Sequence, residues 1–120
     1  MSFFRIEEFK CKGKDCCGGK ATMDVLFITQ LERAREIAGV PFVITSGYRC
    51  LVHNSAVGSS SMNHVSGKAA DIKATDGPSR GKILKGLYLA GFRRIGISFK
   101  GGFIHADSMD APESCWDYGG

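Results

Sequence analysis

The sequence predicts an α+β fold, a small antiparallel sheet with helices packed on it, formed by residues 1–120 as a single domain. Three observations predict this. Apolar patterning gives two helices and four strands in the order α-β-β-α-β-β. An apolar content of 43% with 23% charged residues is ordinary for a globular chain, and 120 residues suffice for a modest core. No repeat, linker or low-complexity run divides the chain.

Residues 1–20 are a Cys- and Gly-rich segment of that same domain. Residues 22–38 predict an amphipathic helix. Thr22 is its N-cap, Leu26, Ile28, Leu31, Ala34 and Ile37 supply the buried stripe, and Gly39 is the stop. Pro41-Phe42-Val43-Ile44-Thr45 is a β-branched apolar run, hence a buried strand. It ends at Ser46-Gly47 and delivers Tyr48 and Arg49 to a strand end. Residues 58–68, rich in Gly and Ser, predict a loop, and residues 69–74 a strand carrying Asp71. A second helix starts at Ser79, or at Pro78 as its first residue, and runs to Ala90. Its apolar residues are Ile83, Leu84, Leu87 and Leu89, and Gly91 ends it. Residues 94–99 and 103–106 read as two strands joined by the turn Lys100-Gly101-Gly102.

The charge balance, 16 basic against 12 acidic residues, is a mild +4 with the basic residues scattered. It favours approach to an anionic surface such as a cell wall and argues little for nucleic-acid binding. Met1-Ser2-Phe3-Phe4-Arg5-Ile6-Glu7-Glu8 carries acids and has no apolar run, so no signal peptide is expected. No stretch approaches the roughly 18 apolar residues of a membrane span. The expectation is a soluble chain made in the cytoplasm, monomeric and without stable membrane insertion. Of the cysteines Cys11, Cys16, Cys17, Cys50 and Cys115, three crowd into Cys11-Lys12-Gly13-Lys14-Asp15-Cys16-Cys17. That cluster has no CxxC pair and no nearby histidine. Reduced thiols in a glycine-rich loop are therefore expected ahead of a structural metal site, and a disulfide framework is disfavoured.

His64, Asp71 and His105 are the candidate metal ligands. Two imidazoles and a carboxylate suit zinc and leave a fourth position open, which points to chemistry rather than to a closed structural site. A lone histidine is more often a surface or core residue than a ligand. Here, however, Asp71 lies in an apolar run where an unpaired carboxylate is costly, and His105 in Phe103-Ile104-His105-Ala106 needs a partner if buried. Small residues, Gly58-Ser59-Ser60-Ser61 before His64 and Gly67-Lys68-Ala69-Ala70 after it, leave room for an ion. His53 has no such setting and is assigned to the surface.

Ser46-Gly47-Tyr48-Arg49-Cys50, Asn54, Ser61-x-x-His64-x-x-Gly67-x-Ala69-Ala70-Asp71, Gly91-Phe92, Ile95-Gly96 and Phe103-Ile104-His105-Ala106-Asp107 together resemble the zinc D-alanyl-D-alanine carboxypeptidase family, peptidase family M15. The likeness spans residues 9–116. It implies a D-Ala-D-Ala carboxypeptidase-like fold and one zinc ion per chain, held by His64, Asp71 and His105. It also implies a zinc metallopeptidase cutting peptidoglycan stem peptides, of D-Ala-D-Ala carboxypeptidase or L-Ala-D-Glu endopeptidase type. A phage or prophage endolysin that reaches the cell wall after release fits the same resemblance.

In that family Arg49 matches the arginine that holds substrate and stabilises charge near the scissile carbonyl, a task suited to a guanidinium. Ser61 matches the small polar residue before the first ligand, expected to hydrogen-bond the substrate or the groups behind a ligand, and Tyr48 of the same motif is assigned to substrate binding. Many members carry an acid three residues before the last histidine, where this chain has Gly102; others carry a histidine two before it, where this chain has Phe103. Asp107 is then open to two roles: general base, or the carboxylate that orients a ligand histidine. The implied mechanism is metal-assisted peptide hydrolysis with a carboxylate or solvent moving the proton. The departure at Gly102 supports an alternative, a zinc-bearing domain of this fold that binds wall peptides or a protein partner without cleaving. A cysteine hydrolase using Cys17 or Cys50 with His53 is a weaker rival, because no base-and-orienter pair is visible.

Overall fold

A computed structural model of the chain describes residues 3–59 and 61–118. Met1 and Ser2 of the N-terminal reading and Ser60 of the 58–68 loop lie outside the described residues, as do Gly119 and Gly120. A 3-10 turn, Ile6–Phe9, buries Phe9 and leads into the cysteine-rich loop.

Helix α1 is Val25–Ala38. Asp24 caps it, not Thr22: its carboxylate accepts the Phe27 N–H at 3.0 Å. Its buried stripe is Phe27, Leu31, Ala34 and Ala38, at helical spacing. That stripe is turned from the expected one, leaving Leu26 78% exposed. Apolar residues at both 26 and 27 allow two overlapping stripes, and Phe92, edge-on to Phe27 at 5.7 Å, selects one. Strand β1 is Ile44–Ser46, helix α2 Leu51–Ala56, strand β2 Ala69–Lys73 and helix α3 Gly77–Leu89. The short α2, capped by Cys50, has no counterpart in the sequence reading. Helix α3 starts ahead of the expected Pro78 or Ser79 because Asp76 caps it through the Ser79 N–H. Strands β3, Arg94–Ser98, and β4, Phe103–Asp107, agree with expectation within a residue; β5, Ser114–Asp117, is additional.

The sheet order is β1-β2-β4-β3-β5. The first four strands pair antiparallel, as expected, and β5 joins β3 in parallel, so the complete sheet is mixed. Side chains alternate across each strand. Ala70, Ile72, Ile95, Ile104 and Ala106 face α1 and α3 and form the core with Phe27, Leu31, Ile83 and Leu87. The intervening residues face the other way. The register sets Ser46, Asp71, His105, Gly96 and Trp116 in one row across all five strands. That row is the floor of the site.

Candidate metal centre

Asp71 and His105 are direct cross-strand partners on β2 and β4, which brings their side chains together on the face away from the helices. His105 Nδ1 lies 2.9 Å from Asp71 Oδ1. His64 arrives from the loop before β2, and its Nε2 stands 3.4 Å from the same oxygen. One donor atom from each of the three lies within 4.8 Å of the others, and all three residues are buried.

Both histidines are held from behind. His64 Nδ1 sits 2.7 Å from the Gly47 carbonyl oxygen, which only accepts, so Nδ1 carries the proton and Nε2 keeps its lone pair. His105 Nε2 is 2.7 Å from Asp107 Oδ2, and its other nitrogen faces Asp71. An imidazole between two carboxylates favours its doubly protonated form, and a divalent cation held by this group would take the place of one proton. The donor set therefore fits zinc: two imidazole nitrogens and a carboxylate oxygen converge, each imidazole oriented by an outer hydrogen bond.

Electrostatics follow the contacts. Burial pushes the Asp71 carboxyl up, but hydrogen bonds from His105 and His64 outweigh it and hold the group at about 2. Burial disfavours the charged His105, yet Asp107 and Asp71 raise its pKa above the ordinary histidine value. Asp107 is pushed up by burial and more strongly down by His105 and Arg94, so its net shift is downward. Arg94 Nε donates to Asp107 Oδ1 at 2.7 Å, and the Asp107 side chain is wholly shielded from solvent.

A cleft of about 160 Å³ opens over the three ligands, lined also by Arg49, Ser59, Ser61, Asn63, Phe103 and Tyr118. Arg49 and Ser61 are thus brought to the ligands. Asn54, buried in α2, holds the cleft rim by donating to the Ser61 carbonyl at 2.9 Å. Asp107 does not line the cleft; both its oxygens are engaged by His105 and Arg94, which suits a positioning carboxylate and leaves no oxygen for a base. Tyr48 is not at the cleft either. Burial raises its pKa above the ordinary tyrosine value. His53 is half-buried rather than on the surface. The position without an acid also has a structural reason. Gly102 sits at φ +67 in the turn before β4, with a would-be Cβ 3.0 Å from Thr75 Cγ2, so an acidic residue there is strained.

The sequence reading misses Trp116 and Tyr118, the aromatic side chains beside the candidate site. Trp116 lies 5.5 Å from the His105 ring and Tyr118 lies 5.1 Å from Phe103, ring centre to ring centre. Gly96 makes room for them: a Cβ there would stand 2.5 Å from Trp116 Nε1 and 2.9 Å from Tyr118 Cε2. The alternation Trp116-Asp117-Tyr118 is the one local signal of this strand. Burial raises the Tyr118 pKa, against a hydrogen bond from Trp116, so its hydroxyl keeps its proton.

A comparison with protein-family models matches residues 2–107 to the family described as Peptidase M15. No curated protein matches the chain. The matched residues include all three ligands and Arg49, and stop short of β5.

Proposed function

The chain belongs to peptidase family M15, and from that premise we propose that it is a zinc-dependent peptidase that hydrolyses peptidoglycan stem peptides. The single observation that carries this reading is the convergence of His64, Asp71 and His105 beneath a cleft, with both imidazoles oriented from behind. When bound, zinc supplies Lewis acidity, polarising the scissile carbonyl and acidifying a water.

The chain's own groups do the rest. Among the described residues no carboxylate pairs with Arg49, which leaves its guanidinium free to grip a substrate carboxylate or a developing oxyanion in bidentate fashion. Tyr118 lines the same cleft, and its hydroxyl, kept protonated, is a donor that a bound peptide can use. Ser59, Ser61 and Asn63 line the rim where the peptide backbone lies. Asp107 holds the His105 ring and Arg94 holds Asp107. Among the described residues Asp71 is the one carboxylate in the cleft, so solvent carries the proton to the leaving amine.

The substrate class follows from the family resemblance, and the +4 charge suits an anionic wall. Among the described residues no helix is long and apolar enough to cross a membrane. Action at the bacterial wall as a phage or prophage endolysin, on D-Ala-D-Ala or L-Ala-D-Glu bonds, is the finer form of the proposal. That no second acid lines the cleft among the described residues favours one other reading, a non-catalytic zinc-bearing domain that binds wall peptides or a protein partner.

Mass spectrometry of stem peptides incubated with the protein, with chelator and with zinc restored, separates the two. Chelator-sensitive loss of D-Ala or cleavage after L-Ala is expected. Intact peptides from a zinc-loaded protein would instead support the binding domain, and cleavage indifferent to chelator would defeat both.

A further inference from the structure

Three cysteines cluster in the sequence, and the fold adds a fourth. Cys11 follows the 3-10 turn, Cys16 and Cys17 lie in the loop after it, and Cys50 is the N-cap of α2. The Sγ separations are 3.8 Å for Cys11–Cys16, 3.8 Å for Cys11–Cys50 and 3.9 Å for Cys16–Cys17. One sulfur from each of the four lies within 4.8 Å of all the others. A zinc–thiolate bond is about 2.3 Å, and a regular tetrahedron built on it has edges of about 3.8 Å. A disulfide brings its sulfurs to about 2.05 Å. The spacing is that of ligands around one ion.

We infer that Cys11, Cys16, Cys17 and Cys50 bind a structural zinc ion, separate from the one at the histidines. Loading displaces a proton from each thiol to solvent and leaves a site of net charge −2, since four thiolates surround a divalent ion. Lys10, Lys12, Lys14 and Lys20 against the single acid Asp15 supply the compensating field in that stretch. The His53 N–H points at Cys50 Sγ at 3.5 Å, the outer hydrogen bond that a thiolate ligand uses.

The loop also needs the ion mechanically. Residues 12–20 bury no side chain, and the backbone closes on itself through Cys11 N–H to Lys20 O at 2.7 Å. Apolar packing does not offset the ordering of such a loop, whereas a metal bound only when folded does.

The ion would act on the cleft through the chain. Cys50 follows Arg49; the Tyr48 N–H bonds the Phe9 carbonyl at 2.8 Å; and Gly47 O holds His64. Fixing Cys11 to Cys50 fixes the 47–50 segment on which Arg49 and His64 depend. Four protein ligands leave no open position, so the role is positioning and not chemistry.

Elemental analysis of the purified full chain tests this. Two zinc ions per chain are expected, one in His64→Ala and one in Cys17→Ser, with both kept in Cys115→Ser. Cobalt-loaded His64→Ala protein should show thiolate-to-cobalt charge-transfer absorption. Should Cys17→Ser fail to fold, thiol titration of the native wild type decides: Cys115 alone reacts at once, and the other four follow chelation. Zinc-free His64→Ala protein, iron in place of zinc, a disulfide among the four, or five thiols reacting together without chelator would each overturn the inference.

Discussion

The candidate metal centre rests on how two histidines are oriented. Asp107 illustrates this: adjacent in sequence to nothing reactive, it fixes His105 through Oδ2 at 2.7 Å and is itself fixed by Arg94. Asp107→Asn removes that charge and presents an amide to Nε2. Zinc affinity at the histidine site should fall roughly 10- to 100-fold with the fold retained, as for other outer hydrogen bonds to metal-ligating histidines. Competition with a chromophoric chelator measures it, and an unchanged affinity would remove the positioning role. The metal-free protein carries a second residue-scale prediction. Asp71, depressed from 3.8 to about 2 by its histidine contacts, stabilises the fold above pH 3.8 and loses that contribution as pH falls toward 2. His105, raised above 6.5, stabilises the fold below pH 6.5 and loses its contribution as pH climbs through the raised value. Thermal unfolding in chelator should therefore show greatest stability between those limits. A stability still rising from about pH 7 to pH 9 would contradict the His105 assignment.

At the scale of elements, the site is a consequence of strand register. Asp71 meets His105 because β2 and β4 pair with those residues opposite, and a slip of β2 by one residue would turn Asp71 to the core face, away from His105. The next residue in the row, Gly96, carries the aromatic pair from β5. Gly96→Ala would force a methyl to within 2.5 Å of Trp116 Nε1, so the Trp116 and Tyr118 rings must give way. We expect zinc to be retained, a destabilisation of about 1–3 kcal/mol, and loss of peptidase turnover as Tyr118 leaves the cleft. Trp116 is the single tryptophan of the chain, so its fluorescence reports the displacement directly. Unaltered fluorescence and turnover would show that β5 is not part of the site. The helices contribute from the opposite face: α1 and α3 bury Phe27, Leu31, Ile83 and Leu87 against the sheet and make its floor rigid.

For the molecule as a whole, metal and fold are linked, since an ion that binds the folded state adds its binding free energy to stability. Stripping zinc with a chelator should lower the melting temperature. With free zinc at a hundred times its Kd the loss is about 2.7 kcal/mol per site, and re-addition should restore it. Identical melting curves with and without chelator would mean that neither ligand group holds metal. Much of this architecture was legible beforehand. The apolar runs, the Gly39 stop and the positions of β2, β3 and β4 are local patterns, and so were His64, Asp71 and His105, whose polar side chains stand out against apolar or small neighbours. Family likeness added Arg49 and Ser61. By itself, then, the sequence determined the fold class and the family and singled out the candidate ligands, because periodicity and motif spacing are properties of neighbours along the chain. Tertiary structure alone decided which face of α1 is buried, that Arg94 holds Asp107, that Tyr118 lines the cleft, and that Cys50 joins Cys11, Cys16 and Cys17. Each of those is a contact between residues distant in sequence, set by register and packing, and no local pattern encodes it.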